Sequence, residues 1–184
     1  MTNKFEQEEF PRSGSILYNL LFADEETREK MLRRFKKLNK FLIIPLYRIK
    51  LLPLFGLGRI FLLLITKGRI SGKKKRTPLE YHRINGTITV VSARGEEADW
   101  LKNMRANPNE VWIKHGFHSF HARVEIITDE EEILKLIKWY VTKHKRVAKL
   151  IFGWNPKLDD PETASFSKLM QLVILVQFHR KTKK

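Results

Sequence analysis

Residues 64–81 read LITKGRISGKKKRTPLEY, and the rest of the chain is organised around them. An apolar run (Phe61, Leu62, Leu63, Leu64, Ile65) stops at Lys67-Gly68-Arg69. Gly68 and Gly72 bracket a turn, Lys73, Lys74, Lys75 and Arg76 follow, and Thr77 to Tyr81 resume an extended pattern. This is a strand, a tight basic turn and a second strand. The glycines give the backbone freedom and close approach, so that consecutive N–H groups can form a concave anion nest. Arg69 contributes a planar fork suited to phosphate or carboxylate, and the lysines contribute point charge. Two readings are open: a cradle for a phosphorylated polyanion, or a solvated basic hairpin turn.

Outward from this stretch, extended patterns at 76–84 and 87–94 flank Asn85-Gly86, the dipeptide that favours a type I′ hairpin turn. Residues 97–107 read as a helix closed by Pro108, and a second hairpin (110–114 and 117–127) turns at His115-Gly116. Alternation at Phe120, Ala122, Val124 and Ile126 turns one face of that strand inward. Thr128-Asp129-Glu130-Glu131 has the form of a capping box, ahead of a helix buried through Ile133, Leu136, Ile137, Tyr140 and Val141. Asn155-Pro156 breaks the chain, Asp160-Pro161 restarts a helix, and 172–178 is a β-branched-rich strand expected to be central. Nearer the N-terminus, Asp24 caps a helix in which Met31, Leu32, Phe35, Leu38 and Leu42 recur at helical spacing among many cations. Its apolar stripe packs on the body in one reading. In the other it lies on anionic lipid, with Phe41 to Ile44 reaching the interface. This order of helices and hairpins predicts an α+β fold rather than a parallel α/β one.

With 184 residues the chain can bury a real core, and its formal charge of +16 favours an anionic cofactor, acidic lipid or nucleic acid as partner. There are no cysteines, which removes disulfides, thiolate metal sites and Cys nucleophiles. Residues 1–11 are acidic and polar, unlike a secretory signal. The apolar region 41–66 is interrupted by Pro45, Arg48, Lys50, Pro53 and Arg59, so no piece approaches the roughly 18 apolar residues of a spanning helix.

Gly68-Arg69-Ile70-Ser71-Gly72 with Lys74 to Leu79 resembles the G-R-x-[ST]-G-x-[PK]-[RK]-x-[TN]-P-L signature of the deazaflavin-dependent nitroreductase family. Val90 to Gly95 resembles that family's strand ending in Ser-Lys-Gly-Gly, and Trp100 to Pro108 resembles its W-x-x-N-[LM]-x-A-N-P helix, in the same order and spacing. The resemblance implies a split β-barrel of the FMN-binding type, here at 59–178 with peripheral helices; around it the residues read as a mobile tail or an arm ordering on the body at 1–15, a helical extension at 16–58 and a basic tail at 179–184. It implies the deazaflavin coenzyme F420 as cofactor, with FMN as the alternative. It places Arg69, Ser71, Gly72, Lys75 and Arg76 at the coenzyme's phosphate and carboxylates, and Thr77 and Pro78 beside its ring. Ala93, Arg94 and Gly95 fall at the strand end reaching the phosphate, and Trp100 and Asn103 on the closing helix. The lead-in 45–58 often helps wall the site in this family, with Tyr47, Leu51, Leu54 and Phe55 as candidates here; core packing accounts for these side chains equally well. The chain departs from the family at Ile70, where many members carry Lys or Arg, and at Asp99, usually an apolar residue or His. The loop before Trp100 is short, and the substrate-contacting tyrosine-rich segment has no counterpart near 143–154.

Three function classes fit this sequence. The first is an F420H2-dependent oxidoreductase passing hydride to a quinone, activated alkene or nitro compound. Tyr81, Tyr140 and His82 are its candidate proton donors. The second is a non-catalytic binder of deazaflavin, FMN or haem. The third is a binder of anionic membrane or nucleic acid, although no nucleic-acid motif is present and binding there would be nonspecific. His115, His118 and His121 do not read as a metal site, because odd spacing on a strand sends side chains to opposite faces. Glu80 and Glu125 read as lone carboxylates paired with neighbouring cations. The expected setting is cytoplasmic, with contact at the inner membrane face, as a monomer or homodimer.

Overall fold

In the computed structural model, which describes residues 9–49 and 60–181, seven strands form one sheet. They are β1 (Phe61–Lys67), β2 (Lys74–Glu80), β3 (His82–Ile84), β4 (Thr87–Ser92), β5 (Trp112–His115), β6 (His118–Ile127) and β7 (Ile174–Arg180). Their spatial order is β2-β1-β5-β6-β7-β4-β3, antiparallel throughout. The outermost members, β2 and β3, are separated in sequence by Tyr81 alone. A flat sheet of this order would hold them roughly 29 Å apart, at about 4.8 Å per strand spacing. One residue cannot span that distance. The sheet therefore curls until its two edges meet at Tyr81, which is a split β-barrel in an α+β chain. The single strand expected over 76–84 is thus two strands on opposite edges.

The barrel interior is filled by one face of β1, β4, β5, β6 and β7, with Leu62, Leu64, Val90, Ile113, Ala122, Val176 and Phe178 buried together. Leu63, on the other face of β1, is buried as well. It packs with Tyr47, Ile43, Ile44 and Leu46 of the preceding helical segment. β1 therefore reads as a continuous apolar run because both its faces are covered.

The helices are α1 (Ile16–Leu21), α2 (Glu25–Leu38), α3 (Ile44–Arg48), α4 (Asp99–Ala106), α5 (Glu130–Lys143), α6 (Lys145–Phe152) and α7 (Ser167–Leu172). A π-helical turn, Asn39–Ile43, joins α2 to α3. The chain divides into a barrel unit (Arg33–Ile127 with Ile174–Lys184) and a helical unit (Met1–Leu32 with Thr128–Val173). In the helical unit Ile133, Leu136, Ile137, Tyr140 and Val141 of α5 are buried, as the helical spacing predicts. Phe10 is buried against Trp154 and Phe166, and the Arg12 fork grips both Asp159 oxygens at 2.7 and 2.8 Å.

Four local expectations shift. The β5–β6 turn is Gly116-Phe117, with His115 in β5 opposite His118, because Gly116 takes the positive φ (54°) of a two-residue loop. The α5 cap is Asp129, whose Oδ1 accepts the Glu132 N–H at 2.9 Å; its carboxylate also suits the helix dipole. Asp160-Pro161 starts only a turn, since Asp160 Oδ1 accepts the Glu162 N–H, and helix resumes at Ser167. β7 is central as expected but runs to Arg180, taking in His179 and Arg180.

Candidate functional site

Between β1 and β2 the chain closes on itself at Gly68. Its N–H donates to the Lys73 carbonyl at 2.9 Å, and its carbonyl accepts the Gly72 N–H at 2.8 Å. A Cβ on Gly68 would lie 2.8 Å from Ser71 Oγ and 3.2 Å from the Lys73 carbonyl, and Gly72 has φ +63°. Both positions therefore require glycine, the first for space and the second for backbone conformation. Ser71 serves the turn, its Oγ accepting the Lys73 N–H. The loop holds the cations outward: Lys73, Lys74, Lys75 and Arg76 are exposed. Among the described residues none of these four has an ion-pair partner. Ile70, where the family resemblance expects a cation, is 89% exposed at the tip.

One helix fixes this turn in place. Asp99, Asn103 and Asn107 recur every fourth residue and so share a face of α4 and its C-terminal extension. Asn103, only 7% exposed, accepts with its Oδ1 both the Arg69 N–H (3.0 Å) and Arg69 Nη1–H (3.1 Å). Asp99 Oδ1 takes Arg69 Nη2 at 3.1 Å, and Asn107 donates to the Lys67 carbonyl at 3.4 Å. Asp99, a departure from the family pattern, is thus the partner that orients Arg69. The i, i+4, i+8 spacing of Asp99, Asn103 and Asn107 was the signal for this support, and only Asn103 was read from the sequence as a site residue.

The end of β4 meets the same helix. Ser92 donates to the Gly95 carbonyl at 2.8 Å, and Gly95 (φ +46°) opens a 3-10 turn, Gly95–Glu97, that leads into α4. Glu96 and Glu97 are tied back to α4 by Arg105 (2.6 Å) and Lys102 (2.8 Å). The Lys102 hydrogen bond holds the Glu97 carboxyl below its ordinary range. Ala93 and Arg94 are half-buried, and Trp100 packs on the barrel core. Arg69, Asn103, Trp100 and the 93–95 strand end are therefore gathered around α4. Thr77 and Pro78 are half-buried on β2, a strand paired on one side only in the sheet order.

The other candidates lie elsewhere. Tyr81 is buried at the far end of the β1–β2 ladder, its N–H bonded to the Ile60 carbonyl and its ring 6.0 Å from His115. His82 pairs with Glu80 at 3.3 Å, and His179 pairs with Glu125 at 3.0 Å. Tyr140 packs on His144 and Phe152 in the helical unit. Tyr47 is fully buried and donates to the Lys114 carbonyl at 2.9 Å, and burial pushes its phenol up to about 12. Leu51, Leu54 and Phe55 lie outside the described residues. Among the described residues no cluster of three or more His, Asp or Glu side chains is placed to hold a metal.

α2 begins at the expected cap, with Asp24 Oδ1 accepting the Thr27 N–H at 2.8 Å, yet none of its residues is buried. Phe41 in the π turn is 70% exposed, and Phe35, Leu38 and Leu42 are exposed beside it. Among the described residues no helix is long and apolar enough to cross a membrane.

A family model described as F420H(2)-dependent quinone reductase matches residues 54–146. No curated protein matches the chain at a significant level. Among solved structures, the F420-H2 dependent reductase FDR-A is 23% identical over 65% of this chain and 94% of its own, with a TM-score of 0.42. The haem storage protein HutZ of Vibrio cholerae is 15% identical over 71% of this chain and 90% of its own, with a TM-score of 0.44. An FAD-binding protein of Mesorhizobium loti is 15% identical over 66% and 81%, with a TM-score of 0.40.

Proposed function

The chain belongs to the F420H(2)-dependent quinone reductase family, and from that premise we propose that the Gly68–Arg76 turn and the α4 face behind it form its coenzyme site. The protein is an F420H2-dependent oxidoreductase with F420 as its cofactor. The proposed acceptor is an electron-poor compound: a quinone first, with an activated alkene or nitro compound as the alternatives. The observation that carries the site is the contrast within the turn, where Arg69 is anchored by Asn103 and Asp99 while four neighbouring exposed cations have no ion-pair partner among the described residues.

The residues present fit such a coenzyme. The glycine-lined turn leaves room for close backbone approach, and the cations match a phosphate with a tail of carboxylates. Lys75 and Arg76, with Lys73 and Lys74 alongside, would neutralise that tail. Arg69, Ser71 and Gly72 would meet the phosphate, with Ala93, Arg94 and Gly95 closing from the β4 end. Thr77 and Pro78 would offer the free edge of β2 to the ring, and Trp100 and Asn103 hold the helix behind it. F420H2, when bound, supplies the hydride. The chain's own contribution is preorganisation: a turn already fixed by hydrogen bonds to the buried Asn103 side chain does not have to be ordered when ligand binds. Water supplies the proton in this reading. Tyr81 and His82 sit at the opposite end of the β1–β2 ladder from the turn, and Tyr140 sits in the aromatic cluster of the helical unit, so none of the three is assigned the role.

The test is a fluorescence titration with F420 beside FMN. Tight, salt-sensitive F420 binding is expected, lost in Arg69→Ala with Lys75→Ala while the protein stays folded. Unchanged F420 binding in that variant sinks the placement of the site. Preference for FMN, or binding without turnover of any acceptor, would instead favour a carrier role.

A second reading concerns location, and it rests on Phe41. An exposed aromatic next to Leu38 and Leu42, flanked by Arg33, Arg34, Lys36, Lys37 and Lys40, matches a helix lying on anionic lipid. The inner face of the membrane is where such a surface meets a lipid-soluble quinone. Sedimentation with anionic vesicles at low salt is expected; a protein left in the supernatant would count against it.

A further inference from the structure

The barrel has a second end, where three of the core-facing rows finish in basic side chains. Side chains two apart on a strand share a face. His115 therefore lies on the face of buried Ile113, and Arg180 on the face of buried Phe178. Arg83 stands directly opposite buried Ile88 and shares its face. Three basic side chains thus end the barrel's core-facing rows at one mouth, Arg83 and Arg180 exposed there and His115 half-buried. A cavity of about 440 Å³ opens among them, floored by Ile88, Phe120 and Phe178.

The cations are arranged rather than scattered. Arg83 Nη1 donates to the Gly86 carbonyl at 3.1 Å, which holds that guanidinium on the β3–β4 hairpin. Arg180 lies over the Phe120 ring, 5.4 Å from its centroid, with no carboxylate partner among the described residues. Glu125, near the rim, is taken by His179. Burial, then the charges of Arg83, His118 and Arg180, hold the His115 imidazole below its ordinary pKa. The mouth therefore carries excess positive charge over an aromatic floor. It is also remote from the coenzyme turn. β1 pairs with His115 at Leu62 and with Lys74 at Lys67, five residues or roughly 17 Å apart along the strand. On β4 the cavity lies at the Ile88 end and the Gly95 loop beyond the Ser92 end.

We propose that this mouth binds a small organic carboxylate. Its anion would sit between the Arg83 and Arg180 guanidinium groups, and its apolar body on Phe120, Phe178 and Ile88. Two planar forks suit a carboxylate, mouths of β-barrels are recurrent small-molecule sites, and the volume accommodates a ligand of about one substituted aromatic ring. Such an anion would be a second ligand of the chain, independent of its coenzyme.

The experiment is calorimetric titration of the full chain, free of F420, with benzoate and separately with inorganic phosphate at low salt. Saturable benzoate binding is expected, weakened about tenfold or more in Arg180→Gln and in Arg83→Gln, since each removes one charge-assisted contact. Arg180→Lys, which keeps the charge and loses the fork, should fall between. The Arg69→Ala with Lys75→Ala variant should bind benzoate as the parent does, which separates this site from the coenzyme turn. The proposal is overturned by absence of saturable benzoate binding, by parental affinity in the two Gln variants, by loss in the turn variant, or by phosphate binding as tightly as benzoate.

Discussion

Two stretches hold much of this chain's positive charge, and they are built in opposite ways. The 68–76 turn is fastened from within: Gly68 closes it, buried Asn103 takes two Arg69 donors, and its remaining cations project from a rigid base. α2 carries six cations, among three glutamates, on a helix with no buried residue, leading into a π turn that exposes Phe41. A rigid cluster can match the spacing of one ligand's charges. A solvated helix face offers only a field and an apolar edge, which suits a surface. Both are rich in cations; preorganisation separates them.

The largest contrast expected is in F420 affinity. Arg69→Ala with Lys75→Ala should cost about 3–5 kcal/mol, some hundredfold or more, from two lost charge-assisted contacts. Lys36→Ala with Lys37→Ala on α2 should leave F420 affinity within about threefold while reducing vesicle sedimentation. Equal effects in the titration would break the comparison. Next is Asn103→Ala, which removes a buried acceptor from two Arg69 donors and should destabilise the fold by about 1–2 kcal/mol, read as a lower urea midpoint at unchanged slope. It should also weaken F420 binding, because the turn loses its base. A change at an exposed α2 cation should stay within about 0.5 kcal/mol. Gly68→Ala should cost about 1–3 kcal/mol, as its Cβ meets the Lys73 carbonyl and Ser71.

The smallest effect at neutral pH is expected for Tyr47→Phe, in the segment that follows α2 and does pack on the barrel. The folded-state phenol titrates at about 12, above its unfolded value of about 10. The native state then keeps a proton that the unfolded chain has released. The stability this contributes is present below about pH 10 and lost as pH rises towards 12. Urea midpoints measured across that window should fall for the parent and lose this component of the slope in Tyr47→Phe.

Much of the barrel was legible because its signals are local. Asn85-Gly86 turns as a pair of positive-φ residues, the Phe120–Ile126 alternation points inward, and Asp24 caps its helix. Gly68 and Gly72 marked the basic turn for the same reason. Where two local signals competed the reading slipped by a residue, as at Thr128 against Asp129 and at His115-Gly116 against Gly116-Phe117. Asp160-Pro161 has every mark of a helix start, but the chain makes only a single turn there before helix resumes at Ser167.

By itself, then, the sequence determined the strands, most of the turns, the helix faces and the glycine-bound basic loop, since each depends on neighbours within a few residues. Tertiary structure alone decided three things. It bent the chain at Tyr81 so that one extended run supplies both sheet edges. It brought Asp99 and Asn103 across thirty or more positions to hold Arg69. It gathered Arg83, His115 and Arg180 at one mouth of the barrel. Each of these depends on closure of the sheet, and closure is a property of strand order, which no single stretch of sequence contains.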